Sequence, residues 1–140
     1  MPVVARTITV DRPPEAVWEF LADFTTTEEW DPPTVSTERT SGDGGVGTTY
    51  HNVAKYRGLR TEVDYVVTQY VEGSCLQLRG AATGLELVDT FTVQRTPTGG
   101  SRVTYEVRFT PRQEVGFELP SLTALGDVAA ESLQDSLEQL

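Results

Sequence analysis

The stretch LELVDTFTVQRTPTGGSRVTYEVRF, residues 85–109, decides the fold. Leu85, Leu87, Asp89, Phe91 and Val93 recur at every second position. Pro97-Thr98-Gly99-Gly100 makes a turn, and Val103, Tyr105, Val107 and Phe109 then resume the alternation, opposed by Arg102, Thr104, Glu106 and Arg108. A period of two with one apolar face belongs to half-buried antiparallel strands, so the segment predicts a hairpin with one face on a core.

Working outward, the same period appears in Leu59, Thr61, Val63, Tyr65 and Val67, set against Arg60, Glu62 and Asp64, and more briefly in Leu76, Leu78 and Gly80. Ser41-Gly42-Asp43-Gly44-Gly45-Val46-Gly47 reads as a turn, and the strand expected over 48–56 alternates only weakly. Val4, Ile8 and Val10 share a face of a first strand that Arg6 interrupts. Pro13-Pro14 suits a helix start, because proline fixes φ and first-turn N–H groups lack intrahelical partners. That helix is expected to run to about Phe24, with Val17, Leu21 and Phe24 on one stripe, flanked by Trp18 and Phe20. Thr26 and Glu29 have capping-box spacing for a second short helix, which Trp30-Asp31-Pro32-Pro33 ends. At the other end Leu122, Leu125, Ala129, Leu133, Leu137 and Leu140 recur at three and four, the stripe of a helix with one docked face. Asp127, Glu131 and Asp135 lie off that stripe and read as a solvated face. A single terminal helix facing a long antiparallel sheet tends to enclose an interior, so the layout suggests a pocket.

Composition narrows the function. At 140 residues the chain suits one domain, 1–140, with no repeat or linker to divide it. The formal charge of −10 has the wrong sign for a phosphate backbone or an anionic membrane surface, so nucleic acid is not expected as a partner. No apolar run is long enough for a membrane span, and Met-Pro-Val-Val-Ala-Arg lacks the form of a secretory signal, so a cytoplasmic location without integral membrane association is expected. Cys75 is the one cysteine and His51 the one histidine. No multi-cysteine cage or His-x-x-x-His pair can form, so neither a metal nor another cofactor is expected. The glycine loop lacks the Gly-Lys-Ser/Thr ending of a phosphate cradle and precedes a strand, not a helix.

The segments Pro14-Glu15-Ala16-Val17-Trp18-Glu19-Phe20-Leu21-Ala22-Asp23-Phe24, Trp30-Asp31-Pro32, Gly45-Val46-Gly47-Thr48 and Gly99-Gly100-Ser101-Arg102-Val103-Thr104 carry a resemblance over nearly the whole chain. Together they resemble the polyketide cyclase/dehydrase and lipid-transport branch of the START-like (SRPBCC, birch-pollen-allergen-like) superfamily. The resemblance implies an α+β helix-grip fold: a seven-stranded antiparallel sheet wrapped around the long C-terminal helix, two short helices after the first strand, and a hydrophobic cavity between. It also implies a lipid, sterol or polyketide ligand, and for some members cyclisation or dehydration. Function still belongs to the site.

Tyr65 and Tyr105 fall on inward faces, and parity places Tyr50 and Asn52 inward and His51 outward. An inward tyrosine must place its hydroxyl on a protein group, on water or on a ligand. Trp30 falls at the cavity rim of the resembled family, and Phe117 precedes the final helix. Asp89 stands among Leu85, Leu87, Phe91 and Val93, where an ionised carboxylate is costly unless paired or hydrated. A β-bulge that turns it outward, a buried pair with Arg6 or a tyrosine hydroxyl, and a polar anchor in a cavity all remain open. The expected ligand set is therefore Trp30, Tyr50, Asn52, Tyr65, Asp89, Phe91, Tyr105 and Phe117, with Asp89 and Tyr105 the candidates for acid–base work. The expected activity is binding of a small hydrophobic molecule, with an aromatase/cyclase- or dehydratase-type enzyme as the alternative. A homodimer is compatible with an open-mouthed grip.

Overall fold

The computed structural model describes residues 3–56, 58–82, 84–111 and 119–140, without the side chains of Tyr56, Leu59 and residues 111–126. The elements run β1 (Val3–Val10), α1 (Pro14–Ala22), a 3-10 turn (Phe24–Thr26), α2 (Thr27–Trp30), β2 (Thr34–Ser41), β3 (Thr49–Tyr56), β4 (Leu59–Val71), β5 (Cys75–Ala82), β6 (Leu85–Arg95), β7 (Ser101–Pro111) and α3 (Leu119–Glu138). The strands form one seven-stranded sheet in the order β1-β7-β6-β5-β4-β3-β2, every neighbouring pair antiparallel. This is the helix-grip α+β architecture.

Register carries the alternation read in the sequence to one inner face. β6 pairs with β5 and β7 without a shift, which sets Asp89 opposite Leu78 on one side and Val107 on the other. No bulge turns Asp89 outward. Bulges occur elsewhere, in β2 and between Val67 and Gln69 of β4. The β4 bulge inserts one residue and so changes parity, which brings Tyr70 to the inner face, opposite the buried Leu76. Gly80 of β5 makes room for the ring of Tyr65 across the ladder: a Cβ there would come within 2.6 Å of Tyr65 Cε1. The turn after β2 depends on Gly42, whose φ of 92° suits glycine and whose missing side chain leaves space for Thr48.

The first helix is shorter than the apolar stripe predicts. It ends at Ala22, where Asp23 takes an extended conformation and its Oδ1 accepts hydrogen bonds from Thr25 N at 3.1 Å and Thr25 Oγ1 at 2.6 Å. A local carboxylate bond thus offers the backbone an alternative to continuing the helix. The capping box expected at Thr26 and Glu29 does not form. Thr26 is itself in helical geometry, and its hydroxyl donates backward to the carbonyls of Phe20 and Asp23.

The core is continuous from Val10 and Val17 through the inner sheet face to Ala129, Leu133 and Leu137 of α3. That α3 face packs on β1 and α2. Leu140, expected on the same stripe, is exposed beyond the helix end, while Leu122 and Leu125 lie outside the described side chains. Leu133 is 1% exposed, so Leu133→Ala removes apolar contact and leaves a cavity. A loss of about 2–5 kcal/mol in denaturant unfolding is expected; no loss would mean that α3 does not close on the core.

Candidate functional site

The inner face carries a cluster of rings. Phe91 and Tyr105 stack at 4.8 Å with planes 11° apart, and Trp30, at the end of α2, stands edge-on to both, at 5.9 and 5.5 Å. Phe24 meets Tyr65 at 4.8 Å and Tyr50 at 5.5 Å. These residues meet because β4, β6 and β7 each present a ring on the same face, while the short helical segments lay Phe24 and Trp30 across them.

Two carboxyl groups sit within this aromatic frame. Asp89 is 5% exposed, and its Oδ1 is buried without a hydrogen-bond partner among the described residues. Burial, and secondarily the nearby charge of Asp31, push its pKa up to about 8. Asp31 is half-buried and its pKa is raised to about 6 by burial, which outweighs the opposing hydrogen bond from Thr34 Oγ1 to its Oδ2 at 2.6 Å. The phenols of Tyr65 and Tyr105 are held well above their ordinary range, chiefly by burial and then by the charges of Asp89 and Asp31. Both therefore stay protonated as hydroxyls. Neither hydroxyl has a hydrogen-bond partner among the described residues.

The Arg6–Asp89 pair left open in the sequence does not form. Arg6 Nε bonds Asp127 Oδ1 of α3 at 2.6 Å, across the open edge of the sheet. Asn52 is inward and buried, and its amide is engaged: Nδ2 donates to Thr37 Oγ1 at 2.8 Å and to Thr34 Oγ1 at 3.2 Å. Through Thr34 it helps to hold Asp31, so its position supports the site from behind. His51 points outward, as parity predicts, to Asp64 Oδ1 at 2.8 Å and Glu62 Oε1 at 3.0 Å. Those two carboxylates raise its pKa. Phe117 lies outside the described residues. Among the described residues no group of histidine, cysteine and carboxylate side chains could hold a metal ion.

Sequence reasoning missed Asp31, Phe24 and Tyr70 as inner-site groups. Asp31 carries the local signal of a helix stop, and only the tertiary fold brings its charge near enough to Asp89 to raise that residue's pKa. A separate groove of about 820 Å³ opens between α1, the β2–β3 loop and the β4–β5 turn. Trp18, Tyr50 and Tyr70 line it, with Glu19, Arg39 and Glu72 among its polar residues. Gly44 and Gly45 border this groove, as an opening beside the glycine loop requires.

Over residues 1–140 the sequence matches the family described as polyketide cyclase / dehydrase and lipid transport, and the chain belongs to that family. Solved structures share its fold. A START superfamily protein from Mycobacterium smegmatis is 12% identical over 99% of each chain, with a TM-score of 0.81. The Zhui aromatase/cyclase from Streptomyces sp. R1128 is 15% identical over 98% of this chain and 93% of its own, with a TM-score of 0.78. Ara h 8.0201 is 15% identical over 99% and 98%, with a TM-score of 0.73. No curated protein matches the sequence. The family comprises hydrophobic-ligand binders and polyketide cyclase-type proteins. Among the described residues no helix is long and apolar enough to cross a membrane.

The carboxyl geometry predicts a pH slope of definite sign. Asp89 ordinarily titrates near 4 and is raised to about 8 in the fold, so between these values the native state holds a proton that the unfolded chain has lost. Stability therefore falls as pH rises through that window, by up to about 1.4 kcal/mol per pH unit for one proton. Asp31 adds to the slope below about 6. Asp89→Asn should flatten the curve and raise stability at the alkaline end, as read by urea unfolding across pH. An unchanged slope would place Asp89 in contact with water.

Proposed function

We propose that this protein binds a small hydrophobic molecule in the interior between the sheet and α3, with the polar end of the ligand at Asp89, Tyr65 and Tyr105. The buried, unpartnered Oδ1 of Asp89 carries this reading. A buried polar atom without a partner costs about 1–3 kcal/mol, and a ligand group that bonds it recovers that cost. The surrounding rings of Trp30, Phe91 and Tyr105 supply apolar area and fix ligand orientation, the usual division of labour in a small-molecule site. The family's description, which includes lipid transport, supports the same ligand class.

A second reading rests on one observation: two carboxyl groups in one site are set near 6 and near 8. A protonated Asp89 could then act as acid and Asp31 as base at an enolising carbon of a polyketide, the kind of step an aromatase/cyclase performs. Binder and enzyme part at Asp89→Asn. An enzyme loses turnover with little change in affinity, whereas a carrier changes affinity alone.

Thermal unfolding with a panel of apolar and aromatic compounds tests the binding reading. A ligand at 100 times its Kd should add about 2.7 kcal/mol to stability. Native mass spectrometry of the purified protein should show a retained hydrophobic molecule. Stabilisation by nucleotides or zinc, with indifference to every apolar compound, would contradict the proposal.

A further inference from the structure

We propose that Asn52 is a positioning residue: its amide fixes the direction of a hydrogen-bond chain that ends on Asp31, which makes Asp31 a proton acceptor and leaves its Oδ1 as the atom that takes the proton. The use of that acceptor rests on the acid–base reading above, whereas the direction of the chain belongs to the free protein.

Each hydroxyl in the chain has one proton to give, so one fixed end decides the rest. Thr27 Oγ1 donates to the carbonyl of Phe24 at 2.8 Å, an oxygen that can only accept. With that proton committed, the 2.6 Å contact between Thr27 Oγ1 and Thr37 Oγ1 is donated by Thr37. Thr37 is then an acceptor toward Asn52, so the amide meets it with Nδ2, at 2.8 Å, and not with its oxygen. The second hydrogen of the same Nδ2 goes to Thr34 Oγ1 at 3.2 Å. Thr34 cannot donate to an NH2 group, and it gives its own proton to Asp31 Oδ2 at 2.6 Å. A proton on Oδ2 would turn the Thr34 hydroxyl away from both of these partners. Oδ2 is therefore kept proton-free, and Oδ1, which has no hydrogen-bond partner among the described residues, is where Asp31 exchanges a proton. Thr27, Thr37 and Asn52 are all buried, so water does not compete for the bonds that set this direction.

The charged and titratable groups of the neighbouring elements leave the Thr34 bond as the control on Asp31. On α2, Glu28 is engaged by the Thr37 N–H, and Glu29 is exposed. Asp23 is engaged by Thr25, and Glu38 and Arg39 of β2 and Lys55 of β3 are exposed. α3 packs with the apolar Ala129, Leu133 and Leu137, while its Asp127 holds Arg6 of β1. Asp89 of β6, Tyr65 of β4 and Tyr105 of β7 feel the charge of Asp31. Burial raises the pKa of Asp31 and the Thr34 bond lowers it, as a donor that favours the carboxylate does. In the acid–base reading a C–H bond of the ligand breaks, its electron pair stays on the ligand as an enolate, and the proton forms an O–H bond at Asp31 Oδ1.

Carbon-13 NMR of the full chain with labelled aspartate carboxyls tests the direction without a ligand, the Asp31 signal being assigned through Asp31→Asn. The midpoint in the unaltered protein is expected near 6. Thr34→Val removes the donor and should raise it by about one pH unit or more, while Thr34→Ser, which keeps the hydroxyl, should hold it in place. Asn52→Leu should raise it as well, because Thr34 is then free to turn its proton elsewhere, and should add nothing further in the Thr34→Val background. Thr37→Val touches Asp31 nowhere, yet it releases the amide to present its oxygen to Thr34 and should raise the midpoint too; this variant serves if Asn52→Leu does not fold. A purely structural Asn52 would lose stability on substitution with the Asp31 midpoint unmoved, and that result would overturn the proposal. Additive shifts from Thr34→Val and Asn52→Leu would also overturn it, since Asn52 would then act on Asp31 by another route. Either failure leaves the acid–base reading to be judged by turnover, and a midpoint that moves as expected in a protein without turnover overturns that reading alone.

Discussion

A carboxyl group buried on the inner face of a continuous strand, with no counter-ion beside it among the described residues, is the constraint around which the interior is organised. Strand β6 has no bulge to release Asp89, and Arg6 is drawn away to Asp127. The residue is therefore accommodated by holding its proton. That arrangement is disfavoured in an otherwise apolar core, where a leucine would pack without cost. Its presence among stacked rings gives the inner face a polar point at which a ligand can be oriented.

The second carboxyl group depends on a different part of the chain. Asp31 is fixed by Thr34, Thr34 receives Asn52, and Asn52 also bonds Thr37, which shares a hydrogen bond with Thr27. This relay ties the end of α2 to β2 and β3, so the position of Asp31 follows from how the helical segments lie on the sheet. Glu28 strengthens the same junction by accepting from the Thr37 N–H at 2.7 Å. The helical segments thus do more than cover the core: they bring Trp30 against Phe91 and the charge of Asp31 near Asp89.

Strand periodicity made the sheet legible, because a period of two survives in 59–67, 85–93 and 103–109 without knowledge of partners. It placed Tyr65, Asp89, Phe91 and Tyr105 on one face, and it placed His51 on the other. Long-range geometry was not legible. The bulge in β4 changes parity at Tyr70 with no glycine or proline to announce it, and the early end of α1 depends on one side-chain bond from Asp23. Asp31 looked like punctuation before a proline pair because nothing local shows that the fold brings its charge near Asp89. Asn52 shows the opposite limit: its face was legible, but the threonines that engage its amide belong to another strand.

The account stands most directly on the ionisation of Asp89 inside the folded protein. A carbon-13 NMR titration of the side-chain carboxyl, assigned through Asp89→Asn, measures it without reference to stability. The account predicts a midpoint near 8, well above Asp89's ordinary value. A midpoint near 4 would place Asp89 in water and contradict the account.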